Sequence, residues 1–253
     1  MREIKNWTKS PLLVVSLLLR PAIWIFVFGA ALNAAFFAGG SGLANSLGGA
    51  PDYFSFLTVG MLSTMPMLLA TRAGASFFAD RFTGFMNRLL VAPVSRSTIA
   101  ISKVLGTVLL GLAQSILLLV IALPFGLTIT NITLVSVSVS FVSVFLLSWG
   151  FASTFLLLSI RVKRWTDQQL LTSLNFPIMF FSKAFYPSQR LPVWIRGLAN
   201  VNPLSYSADI TRNLMFGTDS LVSSPTVLVG FAVLVVFAIV SFALVLLLAW
   251  KAL

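Results

Sequence analysis

The 253-residue sequence predicts an all-α integral membrane protein with six transmembrane helices, an N-terminal interfacial helix, a cytosolic amphipathic helix and an outer re-entrant helical hairpin. Three observations support this fold class. Hydrophobic residues make up 58% of the chain and charged residues only 9%, whereas a soluble domain carries about 25% charged residues. Long apolar runs recur between short polar segments, as transmembrane helices require. Lysine and arginine are concentrated in alternate connecting segments, as the positive-inside rule expects.

The N-terminal segment 1–19 combines basic residues with Trp7, a residue type favoured at the headgroup level, so we predict an interfacial amphipathic helix. It does not resemble a cleaved signal peptide, because Arg20 and Pro21 interrupt the apolar run and no small-residue cleavage site follows. Pro21 suits the first turn of a helix and begins the first span. The six predicted spans are about 21–38, 53–73, 104–123, 133–160, 167–182 and 227–250, within one transmembrane domain covering 1–253.

The amphipathic helix is predicted over about residues 79–92, where apolar residues recur at the spacing of one helical face. Polar and charged residues fall between them, and Pro93 ends the pattern because it lacks the N–H that a continuing helix needs. Two interpretations remain open: the helix covers lipid headgroups, or a soluble partner docks on its polar face. The apolar residues are Phe82, Phe85, Met86, Leu89 and Leu90.

The fifth predicted span is short and unusually polar. Gln168, Thr172, Asn175 and Met179 lie on one face at helical spacing, and Pro177 sits inside the span. Polar groups at membrane depth face protein or a water-filled cavity, not lipid. This face is therefore either a helix–helix contact or part of a substrate pathway.

The segment 183–224 is too polar to span and too apolar to be a free loop. We predict two short helices that dip into the outer leaflet as a re-entrant hairpin buried against protein. Asn202 and Pro203 have the residue types of a helix N-cap and first helical position. Asp209 and Arg212, three residues apart on that helix, are expected to form an ion pair.

The distribution of positive charge predicts the orientation. Thirteen of the 17 lysine and arginine residues fall in segments that share one side of the membrane if the N-terminus is inside, and the other four lie in the re-entrant region. By the positive-inside rule both termini are cytoplasmic. The amphipathic helix then faces the cytosol.

Composition excludes several classes of function. The chain has no cysteine and no histidine, which removes thiol chemistry, disulfides, Ser–His catalysis and the usual transition-metal ligands. With six acidic residues and no GxxxxGK[ST] motif, neither a carboxylate metal site nor a phosphate-binding loop is expected, so we predict that this chain binds no cofactor. The net charge of +11 follows the positive-inside pattern and does not indicate nucleic acid.

Two separate stretches resemble the membrane subunits of type-2 ABC exporters, the group that includes the daunorubicin-resistance and nodulation-factor permeases. The first is RLLVAPVSR at 88–96 with KVLG at 103–106, which is similar to the segment after the family's coupling helix. The second is LP at 191–192, NPLSY at 202–206 and DITR at 209–212, which is similar to the C-terminal signature. The order of spans agrees too, so the resemblance covers essentially the whole chain.

The resemblance implies a non-enzymatic permease subunit of the cell (inner or plasma) membrane. It would act as a homodimer or close heterodimer with two copies of a separate ATP-binding subunit, which would hold the ATP and Mg²⁺. The implied ATPase-coupling residues are Asp80, Arg81, Phe82, Phe85, Arg88, Leu89 and Arg96. The implied outer-gate residues are Lys183, Phe185, Tyr186, Pro203, Tyr206, Asp209 and Arg212, and the fifth-span polar face would be the substrate pathway.

The chain departs from the family pattern at three positions. The family often has glutamate where Asp80 and Asn87 stand, and a small residue where Lys183 places a cation beside the outer gate. Because the spans are rich in Phe, Leu and Met and poor in charge, the expected cargo is amphipathic or lipid-like, with a hydrophobic drug first and a lipid-linked glycan as the alternative. An ATP-independent transporter or channel, and a membrane scaffold, are the alternatives from other classes.

Overall fold

The computed structural model describes residues 23, 27, 29, 31, 47, 49–91, 95–187, 192–217 and 224–252, with only the backbone at 89–90 and 249–252. Within those ranges every regular element is a helix, and four helices are long and apolar enough to cross a membrane. The all-helical class is therefore confirmed. The predicted interfacial helix and, apart from four isolated positions, the first span lie outside the described residues, so the count of six spans stays a prediction.

Nine α-helices follow one another in the described ranges. They are α1 (Tyr53–Phe82), α2 (Phe85–Val91), α3 (Arg96–Ala122), α4 (Leu134–Ile160), α5 (Trp165–Ser173), α6 (Asn175–Phe180), α7 (Val193–Val201), α8 (Pro203–Phe216) and α9 (Pro225–Ala252). The four candidate spans are α1, α3 with a short 3₁₀ turn at its end, α4 and α9. The side chains of Asp52, Ser95 and Thr133 cap α1, α3 and α4, each accepting from the backbone N–H three residues on.

Helix α1 is the centre of the bundle. It packs against α3, α4 and α8 and is mostly buried, whereas α9 packs against α4 and α8 and leaves most of its apolar surface exposed. Small residues allow the close approach: Gly74 of α1 faces the backbone of Phe155 on α4, and Gly111 of α3 faces Pro66. The surrounding helices thus fix the position of α1.

Pro66 lies inside α1 and cannot donate an N–H to the carbonyl of Leu62, one turn earlier. Ser115 of α3 supplies the missing donor, because its hydroxyl donates to Leu62 O at 2.8 Å in a buried environment. A carbonyl left unpaired in hydrocarbon would cost several kcal/mol. The contact between α1 and α3 therefore makes the proline tolerable.

The structure corrects the predicted helix over 79–92, which is not continuous. Helix α1 runs on to Phe82, and a turn at Thr83 and Gly84 separates it from α2. Thr83 donates its N–H and its hydroxyl to Ala79 O, and Gly84 has φ +72°, a left-handed conformation that ends a helix and suits glycine. Phe82 therefore belongs to the long central helix, and Phe85 and Arg88 belong to a separate short one.

The fifth predicted span, 167–182, is likewise broken. Helix α5 ends at Ser173, α6 begins at Asn175 and ends at Phe180, and residues 181–187 are not helical. Pro177 explains part of this, because it cannot donate to the carbonyl of Ser173 and so interrupts the helical ladder between the two pieces. The result is a segment whose backbone carbonyls need partners from other helices.

Candidate functional site

Arg212 of α8 organises a polar cluster at the N-terminal end of α1, which we call the outer end after the predicted orientation. Its side chain is buried, and its guanidinium donates to the carbonyl oxygens of Lys183 at 2.7 Å, of Phe56 at 3.2 Å and of Ala184. The guanidinium carbon lies 3.5 Å from the centroid of the Phe56 ring. Three carbonyls and one aromatic face stabilise a cation that burial alone would make costly. Arg212 thereby joins α8 to α1 and to the chain that follows α6.

The non-helical segment 181–187 is held by other donors as well. The Tyr53 hydroxyl, at the start of α1, donates to Phe185 O at 2.8 Å, and the Lys183 N–H donates to Ser205 Oγ at 3.0 Å. Backbone groups away from water need partners of this kind. We refer to this segment together with Tyr53, Phe56, Gly60 and Arg212 as the outer cluster.

Gly60 makes the outer cluster sterically possible. It lies in α1 about two turns from the start of the helix, and a Cβ atom there would overlap the carbonyl of Ala184 and the guanidinium of Arg212. Glycine normally weakens a helix interior, by about 0.5–1 kcal/mol relative to alanine. At this position the absent side chain is what lets the non-helical segment reach α1.

The structure corrects the predicted ion pair between Asp209 and Arg212. Asp209 pairs instead with Lys183, whose Nζ lies 3.1 Å from Asp209 Oδ2, and both side chains are partly exposed. The reason is that the Arg212 side chain is turned into the core, where three carbonyls use its donors. Lys183, the residue that departs from the family pattern, takes its place beside the aspartate.

Of the predicted gate residues, five are brought together at the outer cluster: Lys183, Phe185, Tyr186, Asp209 and Arg212. Phe185 is buried, and its ring lies 6.5 Å from that of Tyr186.

Pro203 and Tyr206 lie elsewhere, at the turn between α7 and α8. Pro203 begins α8 after the N-cap Asn202, and the Tyr206 hydroxyl donates to Asn200 O at 2.7 Å. The Asn202 amide donates to Ile178 O at 2.6 Å and to Phe181 O at 2.9 Å, so it also satisfies carbonyls at the end of α6. The turn therefore holds the broken fifth span from its other side.

Sequence reasoning missed Tyr53, Phe56 and Gly60. Two signals were available: Tyr53 is one of only three tyrosines, and Gly60 interrupts an otherwise good helix. The carbonyl of Phe56 has no sequence signal, because any residue would supply it.

The fifth-span polar face packs against α1 and α4. The Gln168 amide oxygen accepts from the Ser159 hydroxyl at 3.0 Å, and the Asn175 amide donates to Leu68 O at 3.3 Å. Met179 is buried, whereas Thr172 is exposed and donates to the carbonyl of Gln168 in its own helix. Within the single chain the face is thus a helix–helix contact, and its use as a substrate pathway stays a prediction. Asn175 Oδ1 is buried with no hydrogen-bond partner among the described residues.

The C-terminal end of α1, which we call the cytosolic end after the predicted orientation, is tied to two neighbouring helices. Asp80 forms an ion pair with Lys103 of α3, and Arg81 donates to the carbonyl of Ile160, the last residue of α4, at 2.8 Å. Arg96, also predicted to couple, begins α3 and is partly buried. These contacts brace α1 against α3 and α4 where it leaves the bundle.

An aromatic and basic surface lies at the same end. The Phe82 side chain is 61% exposed, and its ring lies 5.8 Å from that of Phe78 and 5.6 Å from that of Trp165. Arg88 of α2 is exposed and Phe85 is half-buried, while the side chain of Leu89 lies outside the described part. We call Phe82, Phe85, Arg88 and Trp165 the cytosolic face; Trp165 is the member that the sequence prediction omitted.

This arrangement defines a polytopic helical membrane protein with a broken helix held at one side of the membrane and an exposed aromatic surface at the other. The sequence matches the family described as ABC-2 type transporter over residues 1–216. The chain belongs to this family of membrane transport proteins.

Three relatives illustrate the similarity. The inner membrane transport permease YadH of Escherichia coli K12 is 31% identical over 77% of this chain and 73% of its own length. A ycf38 protein of Cyanophora paradoxa, described as a transport permease, is 29% identical over 85% of this chain and 72% of its own. The daunorubicin resistance ABC transporter permease protein DrrB1 of Streptomyces coeruleorubidus is 24% identical over 86% and 73%.

Proposed function

We propose that the protein is the membrane-spanning subunit of an ATP-driven exporter that moves amphipathic or lipid-like molecules out of the cytoplasm. It would work in the cell membrane, with both termini cytoplasmic, as a dimer with two copies of a separate ATP-binding subunit that holds ATP and Mg²⁺. Family membership supports a transport subunit. The daunorubicin-resistance relative favours a hydrophobic drug over a lipid-linked glycan as cargo.

The continuity of α1 carries this proposal. Its 30 residues span about 45 Å, more than the hydrocarbon core of roughly 30 Å, so one rigid element reaches from the outer cluster to the cytosolic face. Tyr53, Phe56 and Gly60 lie near one end and Phe82 at the other. A force applied to the cytosolic end is therefore delivered to the outer cluster without passing through a loop.

The cytosolic face has the composition of a docking surface. Exposed aromatic and arginine side chains are favoured anchors at protein interfaces, and Phe82 and Arg88 are both exposed. The contacts of Asp80 and Arg81 would transmit movement of this face to α3 and α4 as well. ATP-driven closure of the partner subunits would then rotate these helices as a unit between two packings.

The fifth span is where we expect a pathway to open. If α1 tilts, the contacts of Gln168 and Asn175 with α4 and α1 are the ones that must part. Asn175 Oδ1, which lacks a partner among the described residues, is available to a polar group of a passing molecule. Lys183, Phe185 and Tyr186, with Pro203, Tyr206, Asp209 and Arg212 behind them, would form the outer gate.

Co-purification with the ATPase encoded beside the gene, followed by ATP hydrolysis in lipid discs, tests the proposal. We expect a stable complex whose substrate-stimulated hydrolysis falls about tenfold in Phe82→Ala/Arg88→Glu, as loss of an interface hot spot predicts. Val193→Ala, which trims an exposed apolar residue of α7, is the control and should leave hydrolysis unchanged. Transport without any ATPase, or unchanged hydrolysis in the double variant, would contradict the proposal.

A further inference from the structure

An apolar groove runs along α9, and no residue of α1 lines it. It is a cavity of about 610 Å³, open on one side and bordered by α4, α9 and the turn between α7 and α8. Its lining includes Leu157 of α4, Pro203 at the start of α8, and Ala232, Val236, Val240 and Leu244 of α9. Three separate parts of the chain therefore form the walls of the groove: α4, α9 and the turn between α7 and α8.

The two hydroxyl groups in the lining do not make the groove polar. Thr154 donates to Gly150 O at 2.9 Å, and Ser241 donates to Phe237 O at 2.6 Å. Both hydroxyls are thus satisfied by the backbone of their own helices, as is usual for such residues in membrane helices. The side chains that line the groove therefore offer water no unpaired hydroxyl group, and the groove suits a hydrocarbon occupant.

The size of the groove matches one acyl chain. The lining residues of α9 extend from Ala232 to Leu244, about 18 Å along the helix. One leaflet of the hydrocarbon core is about 15 Å thick. A single acyl chain of the cytoplasmic leaflet therefore reaches along most of the groove.

A cation stands at the cytosolic end of the same helix face. Arg161 caps the C-terminus of α4 with a helical backbone conformation and follows Leu157 by four residues, so it lies about one turn beyond Leu157 on the same side. Arg161 is exposed, and so are Lys163 and Arg164 in the turn after it, with Asp167 as the one acidic residue between 161 and 167. Anionic phospholipids are attracted to basic clusters in this position.

The groove is separate from the fifth-span polar face. Ser159, which contacts Gln168, is two residues beyond Leu157 and therefore about 200° around α4 from it. A molecule bound in the groove touches neither Gln168 nor Asn175.

We propose that this groove is a binding site for an anionic phospholipid of the cytoplasmic leaflet. One acyl chain lies between α4 and α9 against the α7–α8 turn, and the phosphate lies at Arg161. The bound lipid supports the start of α8, and hence the hairpin that holds the outer cluster, from the lipid side. Apart from Pro203, which the site shares with the proposed outer gate, it uses none of the residues proposed for cargo passage or for docking of the ATP-binding partner.

The experiment uses the full chain in phosphatidylcholine vesicles containing a minority of phosphatidylglycerol. Either lipid carries a photoreactive diazirine on one acyl chain, and adducts are located by mass spectrometry. We expect adducts on the groove residues of α9, with phosphatidylglycerol preferred about fivefold, the effect of one cation near the surface. Adducts spread evenly over the exposed residues of α3 and α9, or equal labelling by the two lipids, would overturn the proposal.

Matched variants separate the groove from its surroundings. Val236→Trp and, independently, Val240→Phe fill the groove and should lower the adduct yield there several-fold. Ile239→Trp is the control, because Ile239 is 62% exposed against 60% for Val236 and does not line the groove.

Arg161→Gln should reduce the adduct yield of phosphatidylglycerol to that of phosphatidylcholine, whereas Arg164→Gln should not. A yield insensitive to both groove-filling variants would overturn the acyl-chain assignment, and an unchanged preference in Arg161→Gln would overturn the phosphate assignment.

Discussion

The two ends of α1 are held by different kinds of contact. At the outer end a buried guanidinium and a buried phenol donate to backbone carbonyls of a non-helical segment. At the cytosolic end a partly exposed ion pair and one arginine–carbonyl hydrogen bond brace the helix, and the aromatic ring of Phe82 is open to solvent. Water can replace the contacts at the cytosolic end but not those at the outer end.

The difference indicates how the molecule can be both rigid and responsive. Removing one donor from the outer cluster leaves a carbonyl unpaired in a medium of low dielectric constant, which is costly. We therefore expect the hydrogen bonds of the cluster to stay intact or to break together. The cytosolic end loses little when a single contact changes, because exposed ion pairs contribute little. An adaptable surface at one end and a cooperative cluster at the other suit a helix that carries movement across the membrane.

Arg212→Met should have the largest effect on stability. The substitution removes a donor from three carbonyl groups. Phe56 O keeps its helical hydrogen bond within α1, whereas the carbonyls of Lys183 and Ala184 lose their donor, at about 1–3 kcal/mol for each buried unsatisfied group. We expect thermal unfolding in detergent to show a Tm lower by about 4 °C or more. Arg164→Met removes an exposed arginine and is the control. If both variants unfold at the wild-type temperature, the outer cluster does not stabilise the fold.

Gly60→Ala should have the next largest effect on stability. The added methyl group overlaps the Ala184 carbonyl and the Arg212 guanidinium, so the non-helical segment must move away from α1. We expect a loss of about 1–3 kcal/mol, the usual cost of overpacking, measured as a lower Tm.

Gly106→Ala is the matched control for that substitution. It lies in α3 with no atom within 4 Å of the added Cβ, so the better helix propensity of alanine should raise the Tm slightly. Equal effects of the two substitutions would mean that the outer cluster tolerates displacement.

Tyr53→Phe should cost about 1 kcal/mol, because it removes one buried hydrogen bond and leaves the carbonyl of Phe185 without that donor. Thr83→Val provides the comparison, because the exposed Thr83 hydroxyl donates to Ala79 O, which also accepts the Thr83 N–H. That carbonyl keeps its backbone donor, so Thr83→Val should leave the Tm nearly unchanged. A larger loss in Thr83→Val than in Tyr53→Phe would contradict the importance of the buried Tyr53 hydrogen bond.

The sequence was enough to predict the helical class, and it singled out the segment around Arg212 for attention. Apolar runs and the distribution of charge indicate membrane helices regardless of how those helices pack. The residues Asn202, Pro203, Asp209 and Arg212 form a recognisable sequence pattern. The polarity of the fifth span was also visible, since glutamine and asparagine are rare inside membranes.

The partners of these residues could not be predicted. Local spacing favoured Asp209 as the partner of Arg212. The arginine instead bonds three backbone carbonyls that are separated from it in sequence by 28, 29 and 156 positions. Backbone carbonyls have no sequence signature. Periodicity through Phe82 and Phe85 likewise suggested one helix, because an apolar pattern does not register the turn at Gly84. Such outcomes depend on tertiary contacts that act over the local preference.

The ion pairs at the two ends should have the smallest effects, and they sharpen the comparison. Lys183–Asp209 lies at the outer end and Asp80–Lys103 at the cytosolic end, and all four side chains are between 16% and 25% exposed. Double-mutant cycles with Lys183→Gln and Asp209→Asn, and with Asp80→Asn and Lys103→Gln, should each give a coupling free energy below about 1 kcal/mol. Equal, small values would assign the rigidity of the outer end to the Arg212–carbonyl hydrogen bonds alone. A coupling free energy above about 2 kcal/mol for Lys183–Asp209 alone would have a different meaning, since only a desolvated pair reaches that strength. Lys183, which differs from the family pattern, would then contribute to holding the outer cluster closed.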